Sequence, residues 1–437
     1  MSHYKPYSAY KDSEVEWIGE VPEHWELRKV AWDMTMTIGW TPPTGDSRFY
    51  GGPYNWVSIA DLSAGRIAAT KQTITDAAIS EKKGTQAPTG SLLFSYKLSI
   101  GEVALLENPA YTNEAIAAFH PCKRISMPFW KYAAPVILPR YSRMNIYGSE
   151  LLNQELMNSA RMYLPNVEEQ EIIVTYLDAE TARIDALIAK KTRFIELLKE
   201  KRQAMITHSV TKGLDPKAKM RDSGVEWIGE VPEHWKVCKL SYRYSVELGK
   251  MLDEKKITGN HPVEYLRNKD VQWESINTTD LPMMDISPAE VERYTIKDGD
   301  LLVCEGGDIG RAAIWRGASN VIGYQKALHR LRAVSAQEDS VEFYYYVQFA
   351  AKNNGIFGED DTKSTISHLP AEKFREYRFA FPPIEEQREI EKYLAGIIAQ
   401  INLLSDKTQR SIDLLKEHRS ALITAAVTGK IDLRETP

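Results

Sequence analysis

From Val167 to Thr211 the chain contains no Gly and no Pro. Apolar residues return there in alternating steps of three and four: Ile173, Leu177, Ile184, Leu187, Phe194, Leu198 and Met205, with Glu180, Lys191 and Lys201 as polar interruptions. A second stretch, Ile384 to Thr428, repeats the pattern with Ile390, Leu394, Ile397, Ile401, Leu404, Leu415 and Leu422, broken by Thr408, Ser411 and His418. That period, among good helix formers, predicts two long helices with a coiled-coil seam. Asn166 stands where a cap belongs, with Glu169 placed to answer it as in a capping box. Pro382-Pro383 opens the second helix, and Gly213 and Gly429 stand where terminating glycines belong. At 1.5 Å per residue, a helix of about 44 residues is ~66 Å long. A helix of that length cannot bury its stripe alone, and its natural partner is its twin, lying antiparallel if a two-fold axis relates the two.

Between the helices the pattern changes to short alternating runs. "YNWVSIADL", "SLLFSYKL", "VEYLRNKDVQW", "GDLLVCEG" and "RAAIWRG" read as strands punctuated by glycine turns, and "SVEFYYYVQFAAKNNGIFG" as a helix ending near Gly355. The expected fold class is α+β: two mixed α/β domains joined by two long helices packed as an antiparallel coiled coil, with an internal pseudo-two-fold repeat.

The repeat is explicit. "DSEVEWIGEVPEHW" (Asp12–Trp25) recurs as "DSGVEWIGEVPEHW" (Asp222–Trp235), differing only at Glu14 against Gly224. Glu168-Glu169-Gln170 recurs as Glu385-Glu386-Gln387, and Gly90, Leu92, Leu93, Ile100 and Gly101 as Gly299, Leu301, Leu302, Ile309 and Gly310. The chain is therefore one unit written twice. It divides into a first globular domain (1–163, with lead segment 12–25), a first long helix (164–213), a second globular domain (214–380, with lead segment 222–235) and a second long helix (381–437). The two globular stretches have drifted apart while the lead segments and helices have not, as expected of one framework carrying two differently shaped readers.

Composition narrows the function classes. The formal net charge is −5 and 43% of residues are hydrophobic, so cores are possible and bulk charge does not advertise nucleic acid; a DNA reader would need its cations clustered on one face. Cys122, Cys238 and Cys304 lie far apart with no metal-ligand spacing, consistent with idle thiols in a reducing compartment. The N-terminus has no signal-peptide core and no apolar run approaches a membrane span, so a soluble, cytoplasmic protein is expected. "GGDIGRAA" from Gly306 lacks the Lys-Ser/Thr of a phosphate loop and the spacing of a dinucleotide fold, and reads as a turn between strands. His24 and His234 share a place in the repeat without a metal partner in sequence. No catalytic motif is found and no metal site is expected.

In this order — "VEWIGEVPEHW", a variable domain, "P-x-x-EEQ" opening a long helix, an end like "AVTGKIDLRE", and the whole again — the chain resembles the specificity (S) subunit of type I restriction-modification enzymes across essentially its full length. "GDLLVCEGGDIGRAAIW", "GYQKALHRLR" and "DDTKSTISHLPAEKF" resemble the target-recognition domains of that family, whereas "RMNIYGSELLNQELMNSARMY" in the first unit departs from the closing pattern.

The resemblance implies a subunit that does no chemistry and binds no cofactor of its own. S-adenosylmethionine would sit on two methylation subunits, and ATP and Mg would belong to restriction/translocase subunits. Each target-recognition domain would read one half of a split, asymmetric site in double-stranded DNA. The helix pair would set the unread spacer and help dock the methylation subunits.

Base readout draws on Arg, Lys, Asn and Gln, with hydroxyls and backbone amides on phosphates. The candidates are Tyr96, Lys97, Asn113, Arg124, Arg140, Arg143 and Asn145 in the first domain. In the second they are Arg267, Asn268, Lys269, Arg311, Gln325, Lys326, Lys363, Ser364 and Thr365. Trp17, Trp25, Trp227 and Trp235 are expected to pack each reader against the helices, the alternative being a methylation-subunit interface. The rival to the family reading is a coiled-coil scaffold that binds only proteins.

Overall fold

The computed structural model describes residues 5–82, 84–97, 99–144, 150–252, 259–317, 321–358 and 368–434. The chain forms two compact units, residues 1–191 with 410–437, and residues 192–409. Four helices of ten or more residues stand among the described residues: α1 (Met127–Ile137), α2 (Val167–Lys212), α3 (Val341–Asn353) and α4 (Ile384–Val427). Both long helices therefore run from one unit into the other.

In the first unit the start of α2 meets the end of α4. Ile173 and Leu177 share one core with Leu422, Ala426 and Val427, and Asp185 pairs with Arg419 at 3.0 Å. In the second unit the halves are exchanged, with Ile206 and Val210 of α2 beside Ile390 and Leu394 of α4. The helices are antiparallel, and α2 is capped as expected: the Glu169 amide donates to Asn166 Oδ1 at 2.9 Å.

The seam needs one correction. Ile173, Leu177, Ile184, Leu198, Ile390, Leu394 and Ile401 are buried and Leu415 is half-buried, but Leu187 (39% exposed) and Leu404 (46%) point to solvent, as does Phe194. In place of Leu187, Phe194 and Lys201 the half-buried residues are Ile188, Ile195 and Arg202 on α2, and in place of Leu404 and His418 they are Ser405 and Arg419 on α4, while Lys191, Leu198 and Thr408 are covered as expected. The cause is one step of four followed by another, Ile173–Leu177–Thr181, with Thr181 buried where strict alternation would place Glu180. A second step of four in succession relaxes a heptad toward 3.6 residues per turn and inverts the order of threes and fours, so alternate later positions move on by one while Ile184, Lys191 and Leu198 keep their places.

The two globular domains have one fold despite their drift. In the first, the strand order is Met36–Ile38, Ile116–Phe119, Leu92–Ser95, Val103–Leu106, Arg66–Ile67; in the second it is Tyr244–Leu248, Leu328–Ala333, Leu301–Cys304, Ala312–Ile314. Register agrees residue by residue: Ile116 faces Ser95 as Leu328 faces Cys304, and Ala117 faces Ile38 as His329 faces Leu248. A second sheet places Ala110–Thr112 parallel to Tyr50–Val57, as Ile322–Tyr324 lies parallel to Pro262–Leu266. Helix α3 starts at Ser340, whose hydroxyl accepts from the Phe343 amide, and Gly355 follows its end with φ +78°. Its counterpart α1 covers the first sheet with Phe129, Trp130 and Ala133, and Phe119 meets Trp130 edge-on at 5.7 Å.

Candidate nucleic-acid interface

The lead segments are clamped by the helix starts, which orients everything that follows. Trp25 is fully buried; its indole N–H donates to Glu169 Oε1 at 3.1 Å, and His24 Nε2 meets Glu169 Oε2 at 2.8 Å. In the second unit Trp235 donates to Glu386 Oε1 at 3.1 Å and His234 meets Oε2 at 2.7 Å. Glu169 is thus spent on the Trp-His pair, and its side chain does not return to Asn166 as a capping box requires.

The neighbouring Gln does equivalent work twice. Gln170 accepts from the Ser126 amide just before α1 and donates to the Arg124 carbonyl, each at 2.9 Å. Gln387 accepts from the Ser340 amide just before α3 at 2.9 Å and donates to the Glu338 carbonyl at 3.0 Å. Each EEQ therefore locks one lead segment and one domain helix to a long helix.

The helix ends close the frame. Lys212 reaches the carbonyl of Glu230 and Lys430 that of Glu20, although Lys and Gly stand in opposite order in "VTKG" and "VTGK". Gly429 has φ +71°, and a Cβ there would stand 2.3 Å from Pro22 Cδ. The four Trp thus belong to the frame: Trp25 and Trp235 are core, while the half-buried Trp17 and Trp227 pack beside Arg140 and Phe379.

On this frame each domain presents one edge where three loops converge. In the second unit Asn268 Nδ2 donates to the carbonyls of Gly306 (2.9 Å) and Ala327 (3.3 Å), and Arg311 donates to the Asn268 carbonyl and Oδ1 (2.9 and 3.1 Å). Asn268, Arg311, Gln325 and Lys326 are so drawn together, with Lys269 exposed beside them. Arg267 is engaged bidentately by Asp270 at 2.7 and 2.9 Å, which pushes its guanidinium pKa up.

In the first unit Tyr96 and Asn113 flank the corresponding turn with Lys97 exposed above, its Nζ 5.5 Å from the Tyr96 ring centre. Tyr96 is buried and its hydroxyl donates to the Glu114 carbonyl at 2.7 Å; burial raises its pKa, so it is a neutral strut. Arg140 lies over Trp17 of the lead segment at 5.6 Å, and Arg124 pairs with Glu26 at 2.8 Å on the strand that follows it, Glu26–Lys29. Arg143 is exposed on a two-stranded ribbon with Glu150–Leu151. Asn145, Lys363, Ser364 and Thr365 lie outside the described residues.

The edges carry positions that their residue types alone do not reveal. The Asp61 carboxylate accepts from the Ser58 amide at 2.9 Å as Asp270 accepts from the Arg267 amide at 2.8 Å, and both begin a short 3-10 turn. Ser58, Ile59 and Ala60 thus stand where the second unit has Arg267, Asn268 and Lys269. Hydrogen-bond correspondence, invisible in the drifted sequence, is the signal that finds them. Cys122, Cys238 and Cys304 are free thiols, and among the described residues no group of three or more potential ligands is placed to hold a metal ion. Nor is any described helix long and apolar enough to cross a membrane.

A pair of unlike edges on one twice-built frame defines a recognition protein for a two-part target. The chain belongs to the type I restriction modification DNA specificity domain family, whose model matches residues 35–197 and 232–412. It is a specificity subunit with two repeated target-recognition domains. It is 24% identical over 440 residues to the putative type I restriction enzyme MjaX specificity subunit of Methanocaldococcus jannaschii, covering 95% of this chain and 96% of that one. The Escherichia coli EcoKI specificity subunit is 22% identical over 276 residues, covering 61% of this chain and 57% of that one. Among solved structures, a chain from work on complex assembly and conformational transition of the type I R-M system superposes with TM-score 0.71 at 16% identity, covering 94% of this chain and 99% of that one. The HsdS subunit from Thermoanaerobacter tengcongensis gives 0.57 at 16% identity, covering 94% and 98%. These two likenesses establish the fold.

Proposed function

We propose that this chain reads an asymmetric bipartite site in double-stranded DNA, one half by each domain, and performs no chemistry itself. Two methylation subunits dock on its helices and supply S-adenosylmethionine; restriction/translocase subunits bring ATP and Mg. The observation that carries the reading is a single backbone edge presented twice with different side chains: Ser58, Ile59 and Ala60 in one copy, Arg267, Asn268 and Lys269 in the other. A symmetric frame alone would read a palindrome; unlike edges on it read two unlike half-sites. The length of the paired helices fixes the unread spacer. Docking is supported by apolar residues left outside the seam: in the second unit Phe194, Leu197, Leu403 and Leu404 are all exposed, more than solvation of a lone helix face requires.

The test is binding of the chain, assembled with the methylation subunits, to duplex DNA across a salt series. Affinity for the cognate duplex is expected to fall steeply with salt and to exceed that for scrambled duplex by ~10³ or more. Assembly with undiminished protein binding and no DNA affinity would favour the scaffold instead.

A further inference from the structure

The two domains share a β-turn at the recognition edge, and its tip carries opposite charge in the two copies. In the first unit the Ile116 amide donates to the Asn113 carbonyl at 3.2 Å, closing a turn with Glu114 at its tip. In the second the Leu328 amide donates to the Gln325 carbonyl at 2.9 Å, closing the same turn around Lys326. Both sides are tied alike: Asn113 and Gln325 donate to the carbonyls of Val57 and Leu266, each at 3.0 Å. Tyr96 and Glu305 donate their amides to the carbonyls of Ala115 and Ala327 at 3.0 and 2.9 Å.

Gly39 and Gly249 let a neighbouring strand pass against the turn. A Cβ on Gly39 would stand 1.7 Å from the Thr112 oxygen, and one on Gly249 2.3 Å from the Gln325 oxygen. The tip is thus held from three directions, and the side chain at its head is exposed in both copies.

We propose that this tip residue is a specificity-determining side chain in each half-site: Glu114 accepts a hydrogen bond from the exocyclic amino group of a base, and Lys326 donates to a guanine edge. The chemistry follows from the surface the domain must meet. A carboxylate facing a duplex is repelled by phosphate and finds attractive partners only in amino groups, cytosine N4 or adenine N6, in the major groove. An ammonium at the same place matches guanine O6 and N7. One backbone position with inverted charge makes the half-sites differ at one base pair while both domains keep the same approach. The Thr41 hydroxyl donates to Glu114, and that bond together with nearby Lys97 holds the carboxyl below its ordinary range, so it is ionised at neutral pH.

The inference rests on the bipartite reading and is tested with it. The chain is co-expressed with its methylation subunits, and the methylated sequence is mapped for the parent, Glu114→Gln and Lys326→Gln. Both positions are exposed; Glu114→Gln keeps the side-chain shape and removes the charge, and Lys326→Gln removes the charge and shortens the side chain by one atom. The expected result is a ~10-fold or greater relaxation of preference at one base pair of one half-site for Glu114→Gln. Lys326→Gln is expected to relax one G·C pair of the other half-site, with the spacer unchanged in both. Whether the pair sensitive to Glu114 is C·G or A·T tells which amino group is read. Unchanged preference at every position in both variants, or a uniform loss of methylation without a position-specific change, overturns the proposal. A parent map without two unlike half-sites would sink the bipartite reading first, and this inference with it.

Discussion

Glu169 and Glu386 occupy equivalent places, yet they do not carry equal loads. Glu169 is only 4% exposed at its side chain and receives three donors: the Tyr7 hydroxyl at 2.8 Å, the Trp25 indole and His24. Tyr7 and Trp25 are both buried, so Glu169→Ala strands two donors away from water. Glu386 is 24% exposed and holds Trp235 and the exposed His234, with Lys217 at the place that Tyr7 fills in the first copy. Leaving a buried donor unsatisfied costs about 1–3 kcal/mol. Glu169→Ala should therefore cost about 2–6 kcal/mol and Glu386→Ala about 1–3 kcal/mol, less where water enters. Hydrogen exchange reads each lead segment separately as a local opening free energy. Residues 5–25 in Glu169→Ala should lose protection by ~30-fold or more, since 1.36 kcal/mol is tenfold. Residues 215–235 in Glu386→Ala should lose less. Equal losses, or a larger loss in Glu386→Ala, would refute the assignment of Glu169 as the heavier joint.

Buried His329 donates from Nε2 to the Leu369 carbonyl at 2.7 Å, and burial holds its pKa down to about 4. An unfolded histidine titrates near 6.5, so between pH 6.5 and 4 the unfolded chain binds a proton that the folded one refuses. Its stabilisation is complete above pH 6.5 and is lost as pH falls, at up to ~1.4 kcal/mol per pH unit; His329→Gln should flatten that slope in urea titrations at pH 7 and 5, and an unaltered slope would contradict it. Gly249→Ala places a Cβ 2.3 Å from the Gln325 oxygen, so it should disturb the Lys326 turn and relax the second half-site while the first keeps its sequence in methylation mapping. Inserting four residues into each long helix at matched points adds ~6 Å of helix; the methylated site should then lengthen its spacer by about two base pairs of ~3.4 Å each with both half-sites unchanged, and altered half-sites would argue against the helices as the spacer.

Much of the frame was legible because it is periodic or repeated. Helix ends at Gly213 and Gly429, the cap at Asn166 and the duplicated lead segment are local signals, and local signals survive in a single sequence. Beyond Leu177 the seam was legible at alternate positions: Ile184 and Leu198 are buried as the heptad places them while Leu187 and Phe194 are exposed, because Thr181 rather than Glu180 is buried, a choice made by packing beside Tyr132 and not by hydropathy. Helix α1 was hidden by Pro128 and Pro135, although proline in a first turn is harmless and Pro135 is accommodated within the helix. Glu169 looked like a capping-box residue because its true partners, Tyr7, His24 and Trp25, lie more than 140 residues away. The edge residues were the hardest to read. Arg267 and Arg311 have the right chemistry for DNA, yet Asp270 and Asn268 engage them within the fold. Glu114, with the wrong charge for a simple basic patch, comes into view only when the two domains are matched bond by bond.

The central claim is that one frame presents two different recognition edges to one DNA duplex. Single-molecule sequencing of methylated bases in cells expressing the chain with its methylation subunits tests it most directly. The account predicts a single methylated motif made of two unlike half-sites at a fixed separation. A palindromic motif, a continuous one, or two half-sites at varying separation would contradict it.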